Sequence, residues 1–171
     1  MSISMSNASL PLFEKVLTSL SNLLAKAEAH AQAHRIEPAA LLQARLFPDM
    51  FPLTSQVQFS CDFAKGAAAR LSGVEVPRFA DEEQTFAQLQ DRIARTLAII
   101  RSADRTAIDG SQDRVIAFNF AGQPLRFKGQ AYLMGFAIPS LLFHVSTAYA
   151  ILRHNGVAIG KADFLGPLDL L

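Results

Sequence analysis

From Phe13 onward, Val16, Leu17, Leu20, Leu24, Ala27 and Ala31 recur at spacings of three and four and so share one face of a helix. The stripe predicts a first helix over residues 11–34, with Ser9 as N-cap and Pro11 in the first turn, where a missing N–H costs nothing. Pro38 opens a short helical connector, PAALLQARL, which ends before Pro48 and Pro52. Leu53, Val57, Cys61, Ala64, Ala68 and Leu71, widened by Phe59 and Phe63, predict a second helix over 52–71 with two buried sides and Gly73 at its C-cap. The small residues from Gly66 to Ala69 allow a neighbouring helix to approach closely. Asp81, Glu82, Glu83 and Gln84 read as a charged helix start with a capping box, which places a third helix over 82–102. Its stripe is Phe86, Leu89, Ile93, Leu97 and Ile100, opposite a solvated face of Gln88, Asp91, Arg92 and Arg95.

The period then shortens to two. Ile116, Phe118 and Phe120 alternate with Val115, Ala117 and Asn119, Gly122-Gln123-Pro124 turns the chain, and Leu125 and Phe127 alternate with Arg126 and Lys128. This predicts a β-hairpin, which is marginal alone in water and must lay its Phe side on the helices. A last helix, 139–154 within the longer stretch 130–154, is broken or kinked at Pro139 and stops at Asn155-Gly156. Phe164, Leu165, Leu168, Leu170 and Leu171 in the final fifteen residues pack back onto the bundle. Four major helices with a loop-and-hairpin crossover and no internal repeat give an all-α four-helix bundle, one domain over 1–171.

Half of the residues are hydrophobic and 18% are charged, so the chain buries a real core and is not intrinsically disordered. Sixteen Lys and Arg against fifteen Asp and Glu leave no broad basic footprint, which argues against a nucleic-acid partner. The uncharged run from Ala131 to Leu152 is long enough to span a bilayer. Against a membrane helix stand Pro139, Gly135, the polar set Ser140, His144, Ser146 and Thr147, and the lack of a second such segment. The first twelve residues lack the basic start of a secretory signal, and the single cysteine allows no intramolecular disulfide, so the expected location is the cytoplasm.

The segment FHVSTAYAILRHNGV resembles the last helix of the DinB-like (DinB/YfiT-like) superfamily, which reads His, three residues, His, Arg, Gly, Gln and then a Tyr-Leu-Arg run before a glycine. The wider chain, in MFPLTSQVQFSCDFAKGAAARLSG and HVSTAYAILRHNGVAIGKADFLG, resembles a bacterial family of uncharacterised proteins within it, over nearly the whole length. The resemblance implies an up-down-down-up bundle and a homodimer. It also implies a divalent metal held by three histidines, one on the second helix and two on the fourth, which in some branches activates a low-molecular-weight thiol. His144 matches the second histidine of the helix-four pair and Ser140 stands in the place of the first. Val145-Ser146-Thr147 replaces Arg-Gly-Gln, Ile151 stands where Tyr is usual, and the second helix has no histidine, only Gln56 or Gln58. The three-histidine site is therefore absent, and no metal or cofactor is expected.

His144 shares a helix face with Leu141, Ala148 and Ile151 and is expected to point into the bundle, hydrogen-bonded to Gln56, Asp62 or Tyr149. Read functionally, His144, Gln56, Asp62, Tyr149 and Ser140 are candidates to line an inter-helix cavity for a small molecule, with neutral imidazole as a base or lone ligand. His30 and His34, one turn apart, could hold a metal but lack a third ligand and read as a solvated face. Asp62 and Lys65 read as a surface ion pair, and Cys61 as an inert core thiol. Arg126, Lys128, Arg153 and Lys161 could gather around an anion, although solvation is the plainer role. No P-loop, GxGxxG or HExxH occurs. Three readings follow: a ligand-binding helical bundle, an enzyme with a modified site around His144, and a structural homodimerisation domain.

Overall fold

The computed structural model describes residues 3–168. Helix α1 (Met5–His34) starts six residues before the expected Pro11 boundary, and Pro11 lies inside it. The earlier start is held by capping and by a distant partner. Ser4 Oγ accepts from the Asn7 N–H, while Asp109 accepts from the Ser6 N–H at 2.7 Å and from its hydroxyl at 3.1 Å. Ser9, expected to cap, instead bonds back to the Met5 carbonyl within the helix. The connector α2 (Pro38–Leu42) buries Leu41 and Leu42. Helix α3 (Leu53–Ser72) ends at Gly73, whose φ of +77° lies in the left-handed region that glycine enters without strain.

Helix α4 (Phe86–Arg101) begins at Thr85, four residues later than the acidic run suggested, because Thr85 and Gln88 form the capping box. Asp81 and Glu83 are engaged elsewhere, by Arg92. A short α5 (Arg105–Asp109), not anticipated from periodicity, is capped by Asp104 and leads into the hairpin of β1 (Val115–Phe120) and β2 (Gln123–Lys128). The two strands pair antiparallel from Val115↔Lys128 to Phe120↔Gln123, so the turn is Ala121-Gly122, one residue earlier than expected. Both turn residues have positive φ, +49° and +80°, the geometry that matches the right-handed twist of a tight hairpin.

The last long helix is continuous from α6 (Gly129–Tyr132) through a π-helical turn (Leu133–Ala137) into α7 (Ile138–His154). Pro139 cannot donate a backbone hydrogen bond and its ring crowds the carbonyl four residues earlier, so the widened turn just before it accommodates what would otherwise be a break. Gly129 is required at the start, since a Cβ there would collide with the Ser111 carbonyl. After the stop at Asn155-Gly156, α8 (Lys161–Leu165) returns to α1, where Phe164 packs edge-on to Tyr149 and Asp163 pairs with Lys26. Leu170 and Leu171 lie outside the described residues.

Bonds across the bundle fix its topology. Glu14 meets Arg101 and Ser21 meets Gln90, so α1 and α4 are antiparallel. Gln56 meets His144 and Arg70 meets Tyr132, so α3 and the last helix are antiparallel. Asp62 meets Arg92, and Ala68 and Ala69 share a groove with Ile99 and Ala103, so α3 and α4 run parallel. The order is up-down-down-up. Phe13, Leu17, Leu20, Leu24, Leu53, Val57, Leu89, Ile93, Leu141, Val145, Ala148 and Ile151 are at most 1% exposed and form the core. The Phe side of the hairpin lies on the bundle as expected, with Phe118 5.5 Å from both Tyr132 and Phe136 between ring centres. Gly129–His154 is long and apolar enough to cross a membrane by length and composition, and here it is packed against α3 and α1.

Candidate functional site

Gln56, Phe59 and Phe63 recur at spacings of three and four on α3 and so share the face that α3 turns to α7. Gln56 is 1% exposed, and a buried amide needs its donors and acceptor satisfied. Its Nε2 donates to the Phe51 carbonyl at 3.0 Å, which turns Oε1 toward His144, and His144 Nδ1 donates to that oxygen at 2.8 Å. An amide oxygen only accepts, so the proton of the neutral imidazole sits on Nδ1 and Nε2 carries the lone pair. Among the described residues Nε2 has no hydrogen-bond partner. Burial pushes the imidazole down to about 4, so the ring is neutral at physiological pH.

His144 does not point into the core with Leu141 and Ala148. It is half-buried at the rim of the α3–α7 seam, because its polar tip follows Gln56 while phenyl rings cover its body. Phe63 stacks on it at 5.4 Å and 16°, Phe59 lies 5.0 Å away, and Phe143 meets it edge-on at 5.2 Å. Phe51 packs on Phe59 at 4.9 Å, and both Phe51 and Phe143 are more than half exposed.

The structure separates this site from Asp62. That carboxylate faces α4, where it pairs with Arg92 at 2.9 Å, and it also pairs with Lys65, one turn on along α3, at 2.5 Å. Arg92, expected on the wet face of α4, is fully buried: its Nη1 also donates to Glu83 at 3.0 Å and the Ala80 carbonyl at 2.9 Å, and its Nη2 pairs with Asp81. Phe79 lies within 4.5, 4.8 and 5.5 Å of the Arg95, Lys65 and Arg92 cations. The cluster ties the crossover between α3 and α4 down to the bundle. Burial acts to raise the Glu83 carboxyl, but hydrogen bonds from Gln58 and Arg92 outweigh it and hold it below the ordinary value.

Tyr149 is also away from His144, against Phe164. Ser140 sits one turn before His144 on the same face of α7 and is half-buried. His34 Nδ1 donates to the His30 carbonyl, and their rings lie 4.2 Å apart as a local pair. Burial pushes the Cys61 thiol up to about 12, so it is an inert core group. Arg126 and Lys128 lie on the hairpin, near where the last helix begins, whereas Arg153 lies in the last turn of that helix and Lys161 beyond it, so the four do not form one anion site. Grooves of about 430 Å³, beside Glu82 and Arg95, and about 310 Å³, beside Ala68 and Ile99, open away from His144.

A divalent metal does not fit the donors present. His144 is one imidazole, Ser140 and Gln56 offer neutral oxygens, and the Gln56 oxygen is already committed to Nδ1–H. Among the described residues no group of three or more His, Cys, Asp or Glu could hold a metal ion. The aromatic shell of Phe51, Phe59, Phe63 and Phe143 was not evident from the sequence, where Phe59 and Phe63 read as part of the core stripe. Their i, i+4 spacing one turn beyond Gln56 is the signal that could have found two of them.

No curated protein matches the chain. A domain of unknown function, DUF1993, matches residues 5–165. Among solved structures, a DinB family member from Shewanella denitrificans is similar at 36% identity and a TM-score of 0.87, over 97% of this chain and 94% of that one. The polar pair joining α3 to α7 also lies between the two helices from which the DinB-like resemblance draws its histidines. With fold, topology and sequence in agreement over nearly the whole length, the chain belongs to the DUF1993 family of DinB-like proteins.

Proposed function

We propose that this protein is a small-molecule-binding member of its family, with the α3–α7 seam around His144 as the binding surface and no resident metal. The observation that carries the reading is the Gln56–His144 hydrogen bond, which fixes the imidazole tautomer and leaves Nε2 as an unpartnered acceptor among phenyl rings. Fixed polar groups set in apolar walls are the usual makeup of a ligand site. Catalysis by His144 as a general base is disfavoured, because a base held near 4 has little proton affinity at neutral pH. Thiol transfer, which resemblance assigns to the three-histidine branches, lacks its metal ligands here.

The protein acts in the cytoplasm as a homodimer joined through helix faces and not through the edge of the hairpin. Exposed Met134, beside Ile3 and Gln130 and away from His144, supplies apolar surface for such a contact, and two-fold association is the commonest way to cover it. Elemental analysis of untagged protein tests the metal-free reading. The expected result is no stoichiometric zinc, nickel or iron. Stoichiometric metal that disappears in His144→Ala would overturn it.

A further inference from the structure

We infer that the His144 surface selects an uncharged aromatic ligand bearing one O–H or N–H donor, a phenol or an indole-type ring, which donates to His144 Nε2 while its ring lies on Phe59, Phe63 or Phe143. The inference rests on the binding reading above and adds the chemical class of the ligand. It follows from a chain of hydrogen bonds in which each step leaves no choice. The Phe51 carbonyl can only accept, so it takes the amide nitrogen of Gln56; the Gln56 oxygen can only accept, so it takes a proton from Nδ1. The one group then offered outward is a lone pair. A ligand carbonyl or carboxylate placed there would set acceptor against acceptor, and a donor is required.

The rest of the ligand is set by the walls. The groups in ring contact with His144 are Phe59, Phe63 and Phe143, which favour an offset or edge-on aromatic partner. Charge is spoken for elsewhere. The carboxylate nearest along α3, Asp62, faces α4 and is held by Lys65 and Arg92, so nothing here offsets the desolvation of a charged ligand. Elsewhere in this molecule cations do lie on phenyl rings, but with polar partners: at Phe79, Asp62, Asp81 and Glu83 accompany them, and at Phe118 the Arg70 guanidinium also donates to the Tyr132 hydroxyl.

The test uses the full chain with phenol, toluene, benzoate and benzylamine, titrated separately while the His144 side-chain nitrogens are followed by NMR. Toluene replaces the hydroxyl by a methyl of similar size, so the comparison needs no variant. Phenol is expected to bind with a dissociation constant on the order of 1–10 mM, as suits a few-atom ligand, and to perturb Nε2 directly. It should bind at least about five-fold more tightly than toluene, the rough worth of one net hydrogen bond. In His144→Phe, with folding checked by circular dichroism, phenol should fall to the level of toluene. Equal binding of phenol and toluene at His144 would overturn the donor requirement while leaving the surface a binding site. Preference for benzoate or benzylamine would overturn the uncharged class. Failure of all four probes to shift His144 would overturn both this inference and the reading beneath it.

Discussion

At the scale of single residues, His144 and Arg92 exchange the roles that pattern alone gave them. The histidine on an apolar stripe lies at the rim, and the arginine on a polar stripe is fully buried. In each case the partner decides. Gln56 draws the imidazole to the seam, and three carboxylates with a carbonyl make burial of a guanidinium tolerable. His144→Ala should cost about 1–3 kcal/mol in chemical denaturation, since it leaves the Gln56 oxygen unpaired, and His144→Gln should cost less because its amide can still donate. The imidazole also makes stability depend on pH. It is held neutral in the fold at about 4 and titrates near the ordinary 6.5 when unfolded, so the unfolded chain binds more protons between those values. Its contribution is full above about 6.5 and is lost as pH falls toward 4. The His144→Gln variant should lose the part of the denaturation-midpoint slope that lies in that window.

At the scale of elements, helix starts and turns were set by side chains that the stripes do not include. The α4 boundary is the clearest case: the acidic run offered a start at Asp81, and Thr85 with Gln88 supplies the observed one. Thr85→Ala should therefore destabilise by about 1 kcal/mol, whereas Glu82→Ala, outside the helix, should change stability by less than about 0.5 kcal/mol. Thermal melts of the two variants decide between the boundaries. The hairpin turn gives a change of opposite sign. Ala121 holds a φ of +49°, which an L side chain adopts at a cost, so Ala121→Gly should stabilise the protein by about 0.5 kcal/mol despite the added freedom of the unfolded chain.

At the scale of the whole molecule, the crossover that makes the bundle up-down-down-up is fastened by Arg92 and its acidic partners. Arg92→Ala should cost about 3–5 kcal/mol, because it leaves Glu83 buried and short of its cation. Glu83 adds a second pH window. Its folded carboxyl lies below the ordinary value, so its stabilisation is present above about 4.5 and fades as pH drops further. Glu83→Gln should remove that acid-side loss while lowering stability at pH 7, as denaturation at several pH values would show. Assembly is tested by sedimentation: the proposed homodimer requires a species near twice 18.6 kDa at micromolar concentration, and a lone monomer would refute it.

The hydrophobic periods alone determined four long helices, the hairpin with its Phe side inward, the connector, the Gly73 and Asn155-Gly156 stops and the core status of Cys61. Each depends on residues a few positions apart, whose relation is set by helix or strand geometry before any tertiary contact forms. Resemblance carried the topology. Tertiary structure alone decided that α1 begins at Met5, since Asp109, more than a hundred residues away, anchors Ser6. It also decided that Pro139 widens the last helix instead of ending it, that Asp62 turns from His144 to Arg92, and that His144 Nδ1 is committed to Gln56. These choices depend on which of several polar partners lies within hydrogen-bonding distance, and a one-dimensional pattern holds no record of distances between segments that meet only in the folded bundle.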